Sequence, residues 1–280
     1  MTMLLSRADL IHAGYTRRSI QAAVRTGILL HVRRDCYLPG GTDDAIVRAV
    51  RVGGRLTCLS LLAAMGVFVL ENRRLHVHVH PNSARLRGAS DRRKPRDRTS
   101  GSDTVLHWLP LCEGVGASSV VSLVDAAVHA VRCQPPRAAV ATLDSLLNKR
   151  LLTPGQVSEV FAALPARYAP LEPLVDARAE SGTETLVRLM ARSLGCEIRI
   201  QVVFEGIGRV DLLLDGWLVV ECDSREFHSD WRQQVRDRER DLALAARGYC
   251  TLRITAAMIL YQPDAVLTAL RAVLSSRPRG

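Results

Sequence analysis

The most constraining stretch of the chain is an apolar hairpin whose strands begin and end in carboxylates. Residues 211–223 read DLLLDGWLVVECD, with the tight-turn pair Asp215–Gly216 between two aliphatic runs. Carboxylates at the end of a buried strand are costly to desolvate unless a cation or hydrogen bonds compensate them. Asp211, Glu221 and Asp223 therefore predict a divalent-metal site, and their hard oxygen atoms suit Mg²⁺ or Mn²⁺.

The length of the turn decides which side chains share a face of this hairpin. A strict two-residue turn pairs Asp211 with Val220 and sends Glu221 to the opposite face. One extra residue in the loop, as in a glycine bulge, pairs Asp211 with Glu221 on one face. The sequence leaves both registers open. In the first register, the carbonyl group of Cys222 is a better candidate ligand than the Glu221 carboxylate.

The charge of the chain favours a polyanionic partner. Its 280 residues carry a net charge of +10, with a pI near 9.8, and such a balance is typical of proteins that bind nucleic acids.

Seven cysteines without a C-x-x-C pair predict reduced, mostly buried thiols. The N-terminus has no signal-peptide pattern and no apolar stretch is long enough to span a bilayer, so we expect a cytoplasmic protein without a membrane segment.

The order of predicted elements is that of a multi-domain α/β protein. Residues 1–40 predict a winged helix-turn-helix, and residues 41–100 a small α/β extension that ends in a basic loop. Residues 101–175 predict a helical connector. Residues 176–280 predict a helix, three strands, a helix and a strand, followed by a last amphipathic helix.

The first forty residues predict two helices followed by a strand pair. Ser6 and Thr16 are the predicted helix caps, and Gly27 ends the second helix. In a winged helix-turn-helix the second helix enters the major groove of DNA. The predicted DNA contacts are Arg17, Arg18, Gln21 and Arg25 on this helix, and Arg33 in the strand pair. A small helical domain with a solvated basic face is the alternative.

The same segment resembles the N-terminal domain of AbiEi-type (type IV) antitoxins. The matching residues are Gly14-Tyr15-Thr16, Gly27-Ile28-Leu29 and Arg33-Arg34-Asp35-Cys36-Tyr37. The family usually has glycine where Asp35 or Cys36 stands. The resemblance implies a DNA-binding module and, taken alone, no chemistry.

Two further features of the N-terminal half each have two interpretations. The run LHVHVHP over residues 75–81 alternates, which puts His76, His78 and His80 on one face of a strand. Histidines at this spacing can share a metal ion. Because no cysteine or carboxylate stands nearby in the sequence, we predict instead a half-exposed strand with its polar face outward. The basic loop at 84–102 could neutralise phosphates or simply be solvated.

Residues 176–280 resemble the very-short-patch-repair-like branch of the PD-(D/E)XK nuclease superfamily. The matching residues are Glu184, Gly208-Arg209-Val210-Asp211, Val219-Val220-Glu221-Cys222-Asp223, His228, and Arg236-Asp237 with Arg240 and Leu244. The resemblance implies a restriction-endonuclease-like αβββαβ core that hydrolyses phosphodiester bonds. Fusion to an AbiEi-like winged helix is a familiar arrangement in that family. Asp223 stands where the superfamily usually has lysine.

The resemblance also implies a role for each candidate residue. Asp211 is the central metal ligand, and a backbone carbonyl or a carboxylate from Glu221, Cys222 or Asp223 also holds the ion. Glu184 holds a water molecule or a second ion. His228 is the general base or protonates the leaving oxygen, because the ordinary pKa of histidine lies near working pH.

Arg236 and Arg240, one helical turn apart, clamp the DNA backbone in this interpretation. The sequence thus predicts a metal-dependent DNA endonuclease that is targeted by its N-terminal winged helix, plausibly in defence, repair or mobile-element biology. The alternative is an antitoxin-like DNA-binding transcriptional regulator whose nuclease fold is catalytically degenerate. The oligomeric state stays open, with a homodimer among the alternatives.

Overall fold

The chain forms two units, each with its own core. A computed structural model describes residues 3–97, 102–112, 118–223 and 231–276, the side chains of 231–234 excepted. Unit 1 comprises Met1–Gln134 and Pro154–Ala166, and unit 2 comprises Pro135–Thr153 and Arg167–Gly280. The protein is of mixed α/β class. None of the described helices combines the length and the apolar character needed to cross a membrane.

The helices and strands are numbered here along the chain. The helices are α1 (Arg7–His12), α2 (Arg17–Arg25), α3 (Asp44–Val52), α4 (Cys58–Ala64), α5 (Leu123–Cys133), α6 (Pro136–Asn148), α7 (Pro154–Ala162), α8 (Gly182–Ser193), α9 (Trp231–Ala246), α10 (Ala256–Tyr261) and α11 (Pro263–Ser276), with a 3-10 segment at Ala166–Leu174. The strands are β1 (Leu29–Arg33), β2 (Cys36–Pro39), β3 (Arg55–Leu56), β4 (Leu75–His78), β5 (Thr104–His107), β6 (Ile198–Phe204), β7 (Gly208–Leu214), β8 (Leu218–Asp223) and β9 (Cys250–Thr255).

Unit 1 begins with two capped helices and a hairpin. The hydroxyl groups of Ser6 and Thr16 each accept a hydrogen bond from the backbone N–H three residues on, which confirms both predicted caps. β1 and β2 pair antiparallel. Asp35 in their turn has φ of 57°, a conformation that glycine adopts most readily. Its carboxylate accepts a hydrogen bond of 2.9 Å from the backbone N–H of Arg7, so the turn also anchors the start of α1.

The rest of unit 1 contains a three-stranded sheet in the order β3-β4-β5, with β4 and β5 parallel. Our prediction of a half-exposed histidine strand is wrong, because every residue of β4 is buried. β4 is the central strand, and α3 and α4 pack against it. His76 and His78 are each 6% exposed, and only His80, beyond the end of the strand, is exposed.

Unit 2 contains a four-stranded sheet in the order β6-β7-β8-β9. The first three strands are antiparallel, and β9 pairs parallel with β8. Leu214 pairs with Leu218, so the β7–β8 loop has the extra residue, and Asp215 and Gly216 adopt φ of 45° and 72°. Of the two registers left open by the sequence, the structure therefore has the one that places Asp211 opposite Glu221.

A buried ion pair holds α6 against α8 in unit 2. Asp144 on α6 is 1% exposed. Its carboxylate accepts hydrogen bonds of 2.8 Å from the Arg188 guanidinium, 2.7 Å from the Thr185 hydroxyl and 2.7 Å from the Asp176 N–H. Because buried charges are costly unless they are paired and hydrogen-bonded, this network fixes the position of α8, the helix that carries Glu184.

We predict that Asp144→Asn lowers the free energy of unfolding by about 3–5 kcal/mol, because it leaves the Arg188 guanidinium buried without a counter-charge. Denaturant titration followed by circular dichroism measures this loss. The matched control is Glu197→Gln, which removes an exposed pair with Arg199 and should change stability by less than about 1 kcal/mol. Equal effects of the two substitutions would contradict the role assigned to Asp144.

Candidate functional site

Each strand of the unit 2 sheet places one polar residue at the same level of the sheet. Asp211 lies opposite Glu221 by the β7–β8 register, and Glu221 pairs with Arg253 on β9. On the other side, the pairs that flank Gln201 place it opposite Asp211. Because residues opposite each other on paired strands lie within about 5 Å, Gln201, Asp211, Glu221 and Arg253 form a row of neighbours across the sheet.

Each of the two carboxylates accepts a hydrogen bond from the backbone of the opposite strand. Cys222 N–H donates to Asp211 Oδ2 over 2.8 Å, and Asp211 N–H donates to Glu221 Oε2 over 3.4 Å. Cys222 thus contributes its amide to the carboxylate pair, while its thiol is buried. The arrangement brings two of the predicted metal ligands together at the polar edge of an otherwise apolar hairpin.

Glu184 reaches the same row from α8. Ser181 caps this helix by accepting the N–H of Glu184. Glu184 Oε2 in turn accepts hydrogen bonds of 2.9 Å from Glu180 N–H and 2.8 Å from Gln201 Nε2. Gln201 has φ of 54° in the middle of β6, a strained conformation for a residue with a side chain. Its Oε1 is buried and has no hydrogen-bond partner among the described residues.

The three carboxylates resist ionising together. Burial raises the pKa of Glu184 and of Asp211 above their ordinary values. Burial, followed by the charge of Asp211, raises the pKa of Glu221 to about 7. A carboxylate pair of this kind carries excess negative charge in a poorly solvated place, and a bound cation would relieve that cost.

Two arginines already contact the outer carboxylates. The Arg240 guanidinium donates to Glu221 Oε1 over 3.2 Å and to the carbonyl oxygen of Arg209 over 2.7 Å. Arg253 binds Asp241 through two hydrogen bonds and also reaches Asp223, which is exposed, over 3.4 Å. In the part of the chain that the structure describes, Asp211 and Glu184 form no ion pair with an arginine or lysine.

The remaining predicted residues of unit 2 lie on or before α9. Arg236 is exposed on that helix, whereas Arg240 is engaged with Glu221 as described. The prediction that His228 moves a proton concerns a residue in 224–230, which lies outside the described residues. The geometry of the site is therefore defined by Glu184, Asp211 and Glu221, with Asp223 at its exposed end.

The predicted DNA-contacting residues of α2 lie on its exposed side. Ile20 and Ala23 are buried in a cluster with residues of α1, β1 and β2. Arg17, Arg18, Gln21 and Arg25 are all exposed. Arg33 differs from them, because its guanidinium donates to the carbonyl oxygens of Val52 and Arg85 over 3.0 and 3.4 Å.

A second group of potential metal ligands, which the sequence analysis missed, lies in unit 1. Four side chains each offer one potential ligand atom, a thiol sulfur or a ring nitrogen, and these atoms all lie within 4.8 Å of one another. The side chains are those of Cys58, His76, His107 and Cys133. Among the described residues this is the one group of three or more such side chains that meets this limit, and the carboxylates of unit 2 do not. The alternating histidine run was the available signal in the sequence. The other three ligands, Cys58, His107 and Cys133, are 18, 31 and 57 residues from His76 along the chain.

Comparison with known proteins adds no assignment, because the chain matches no protein-family model and no curated protein.

We predict that Glu221→Gln stabilises the metal-free protein progressively as the pH rises. The folded-state pKa of Glu221 is about 7 against an ordinary value of 4.5, so the folded state keeps a proton that the unfolded chain has already released. Stability from this group is consequently lost as the pH rises from about 4.5 to about 7. Above pH 7 the free energy of unfolding of the variant should exceed that of the wild type by on the order of 1–3 kcal/mol. The gain from removing the buried charge is partly offset by the loss of the ion pair with Arg240.

Thermal unfolding in EDTA at several pH values measures this difference. Glu180→Gln, which alters an exposed carboxylate paired with Arg209, is the matched control and should track the wild type. Parallel stability curves for Glu221→Gln and wild type across pH 4.5–7 would show that Glu221 is ionised normally.

Proposed function

We propose that this protein is a metal-dependent DNA endonuclease, in which unit 2 hydrolyses phosphodiester bonds and the N-terminal segment of unit 1 binds DNA. The observation that carries the proposal is the pairing of Asp211 with Glu221 on one face of the β7–β8 hairpin, with Glu184 hydrogen-bonded to Gln201 opposite Asp211. These are the three carboxylates that the nuclease resemblance assigns to chemistry.

The order of elements in unit 2 supports the restriction-endonuclease-like core that this resemblance implies. α8 is followed by three antiparallel strands, by α9 and by a fourth strand that pairs parallel to the third. Asp211 and Glu221 lie on the two middle strands, and Glu184 lies on the helix before the sheet. Fold alone does not establish an activity, so the proposal depends on the carboxylates and not on the topology.

The donor set around Asp211 suits a hard cation. Asp211, Glu221 and the carbonyl group of Cys222 would hold Mg²⁺ or Mn²⁺, both of which prefer oxygen ligands. The buried Gln201 Oε1, which has no hydrogen-bond partner in the part of the chain that the structure describes, is a further oxygen beside Asp211. When bound, the ion supplies a positive charge that polarises a phosphate oxygen and lowers the pKa of a coordinated water molecule.

The neighbouring side chains would orient the substrate and move the proton. Glu184, held by Gln201 and its own helix terminus, would position a water molecule. Arg240, already within 3.2 Å of Glu221, and the exposed Arg236 would contact the phosphate backbone. His228 is the proposed proton carrier, because lysine is absent beyond residue 149 and histidine titrates near neutral pH.

The N-terminal segment is the proposed DNA-binding element. α2 buries its apolar side and exposes three arginines and a glutamine, which is the side-chain set that a recognition helix needs in the major groove. The β1–β2 hairpin follows it, as the wing does in a winged helix-turn-helix. Because Arg33 binds backbone carbonyl groups within unit 1, α2 carries the principal contacts in this proposal.

A second candidate function is a DNA-binding regulator with an inactive nuclease fold. The observation that favours it is the engagement of Glu221 with Arg240 and of Asp223 with Arg253. An arginine that neutralises a carboxylate competes with a metal ion for it. The absence of the superfamily lysine favours the same interpretation.

We predict that the wild-type protein nicks supercoiled plasmid in Mn²⁺ or Mg²⁺ and that Asp211→Asn lowers the rate by about 100-fold or more, because it removes the central anionic ligand. Gel analysis of plasmid forms over time measures the rate. Asp215→Asn is the matched control, since it changes a carboxylate in the same hairpin and asparagine tolerates the positive φ of that turn. Inert wild-type protein that still binds DNA would support the regulator instead.

We also predict that Arg17→Ala and Arg25→Ala weaken DNA binding without changing the affinity for Mn²⁺, because α2 lies in unit 1 and the carboxylates in unit 2. Each lost phosphate contact should reduce the slope of log affinity against log salt by about 1. Fluorescence anisotropy with duplex DNA measures both quantities. Arg73→Ala, an exposed arginine of unit 1 outside α2, is the control. Loss of Mn²⁺ affinity in the α2 variants would contradict this division of roles.

A further inference from the structure

We propose that Cys58, His76, His107 and Cys133 bind a zinc ion in unit 1. This inference is independent of the proposed nuclease activity, because all four residues belong to unit 1 and none is in the carboxylate site of unit 2. The four side chains are named here the Cys-His cluster. They come from α4, β4, β5 and the end of α5, so an ion there would tie two strands to two helices.

The spacing of the ligand atoms fits a tetrahedral ion. His76 Nδ1 lies 3.1 Å from His107 Nε2, and Cys133 Sγ lies 3.9 Å from the same nitrogen. All four ligand atoms are within 4.8 Å of one another. With zinc-ligand distances of about 2.0–2.3 Å, tetrahedral geometry places ligand atoms roughly 3.3–3.8 Å apart. Small side-chain adjustments therefore suffice to enclose the ion.

The chemistry of the ligands selects zinc among common metals. Two sulfurs and two imidazole nitrogens are the donor set of many structural zinc sites, whereas Mg²⁺ and Mn²⁺ prefer oxygen. Two thiolates and two neutral imidazoles around Zn²⁺ carry no net charge, which suits a largely buried place. Cys58, His76 and His107 are buried, while Cys133 is exposed, and this leaves a path from solvent for the ion.

Neighbouring groups hold the ligands in position. The His129 ring stacks on His107, with centroids 4.7 Å apart, and its Nδ1 is hydrogen-bonded to Thr57 Oγ1 over 2.7 Å. The backbone N–H of His76 donates to Ser60 Oγ over 3.0 Å. These contacts restrict the ring of His107 and the backbone of His76. Cys58 itself has φ of 53°, a region disfavoured for residues with a Cβ atom.

The test is the metal content of the full chain purified under a reducing agent that does not bind metals. We expect about one zinc ion per chain after gel filtration, measured by mass spectrometry of the elements. Replacement by Co²⁺ should produce thiolate-to-cobalt charge-transfer bands and the visible bands of a tetrahedral site. Mn²⁺ or Mg²⁺ bound to carboxylates gives neither signal, so the readout is separate from the nuclease site.

Matched variants assign the metal to these residues. Cys133→Ser, at an exposed position, and His76→Gln should each lose the zinc and the charge-transfer bands. Cys112→Ser, an exposed cysteine of unit 1 outside the cluster, and His80→Gln, an exposed histidine of the same run, should keep both. Chelation should lower the melting temperature of the wild type but not that of Cys133→Ser.

Three results would overturn the proposal. The first is a reduced wild-type protein that takes up neither zinc nor cobalt at micromolar concentration. The second is zinc retained equally by the cluster variants and the controls. The third is a Cys58–Cys133 disulfide as the stable form of a chain that binds no metal when reduced. The cobalt spectrum is recorded on the wild type, so the test does not depend on whether a variant folds.

Discussion

The pairing of Asp211 with Glu221 across β7 and β8 is the interaction on which the functional interpretation of unit 2 depends. Burial raises the pKa of both carboxylates, and the charge of Asp211 raises the pKa of Glu221 further. Such an arrangement reduces stability unless something compensates it. Backbone N–H groups and Arg240 compensate part of the cost, and a divalent cation would compensate more. The close approach of these two carboxylates therefore destabilises the metal-free fold and is also the feature that would bind a cation.

The surrounding fold fixes the positions of the strands and of the helix that contribute residues to this site. The extra residue in the β7–β8 loop sets the register, because a loop one residue shorter would place Glu221 on the other face. The buried Asp144–Arg188 ion pair holds α8, and α8 carries Glu184. Gln201 links Glu184 to the sheet at the cost of a strained backbone. In unit 1 the exposed arginines lie on α2, whereas the Cys-His cluster comes from α4, β4, β5 and α5. The proposed DNA contacts and the proposed zinc site therefore share no residue.

Much of the local structure could be predicted from the sequence, because it depends on near neighbours in the chain. The caps at Ser6 and Thr16 and the turn at Asp215–Gly216 follow from side chains that bond within three residues or tolerate a positive φ. Long-range features could not be predicted in this way. The burial of His76 depends on the packing of α3 and α4 against β4. Its approach to Cys58 and Cys133 depends on how strands and helices assemble. The Asp144–Arg188 pair likewise joins residues 44 positions apart.

A crystal of the full chain soaked in Mn²⁺, with the ion located by its anomalous scattering, tests whether the Asp211–Glu221 pair binds a metal ion. We expect a peak within coordination distance, about 2.2 Å, of carboxylate oxygens of both Asp211 and Glu221. We also expect Glu221 to turn away from Arg240 when the ion is bound. An absent peak at saturating Mn²⁺, with the Glu221–Arg240 ion pair intact, would contradict the metal-dependent mechanism and leave the carboxylates as structural partners of arginine.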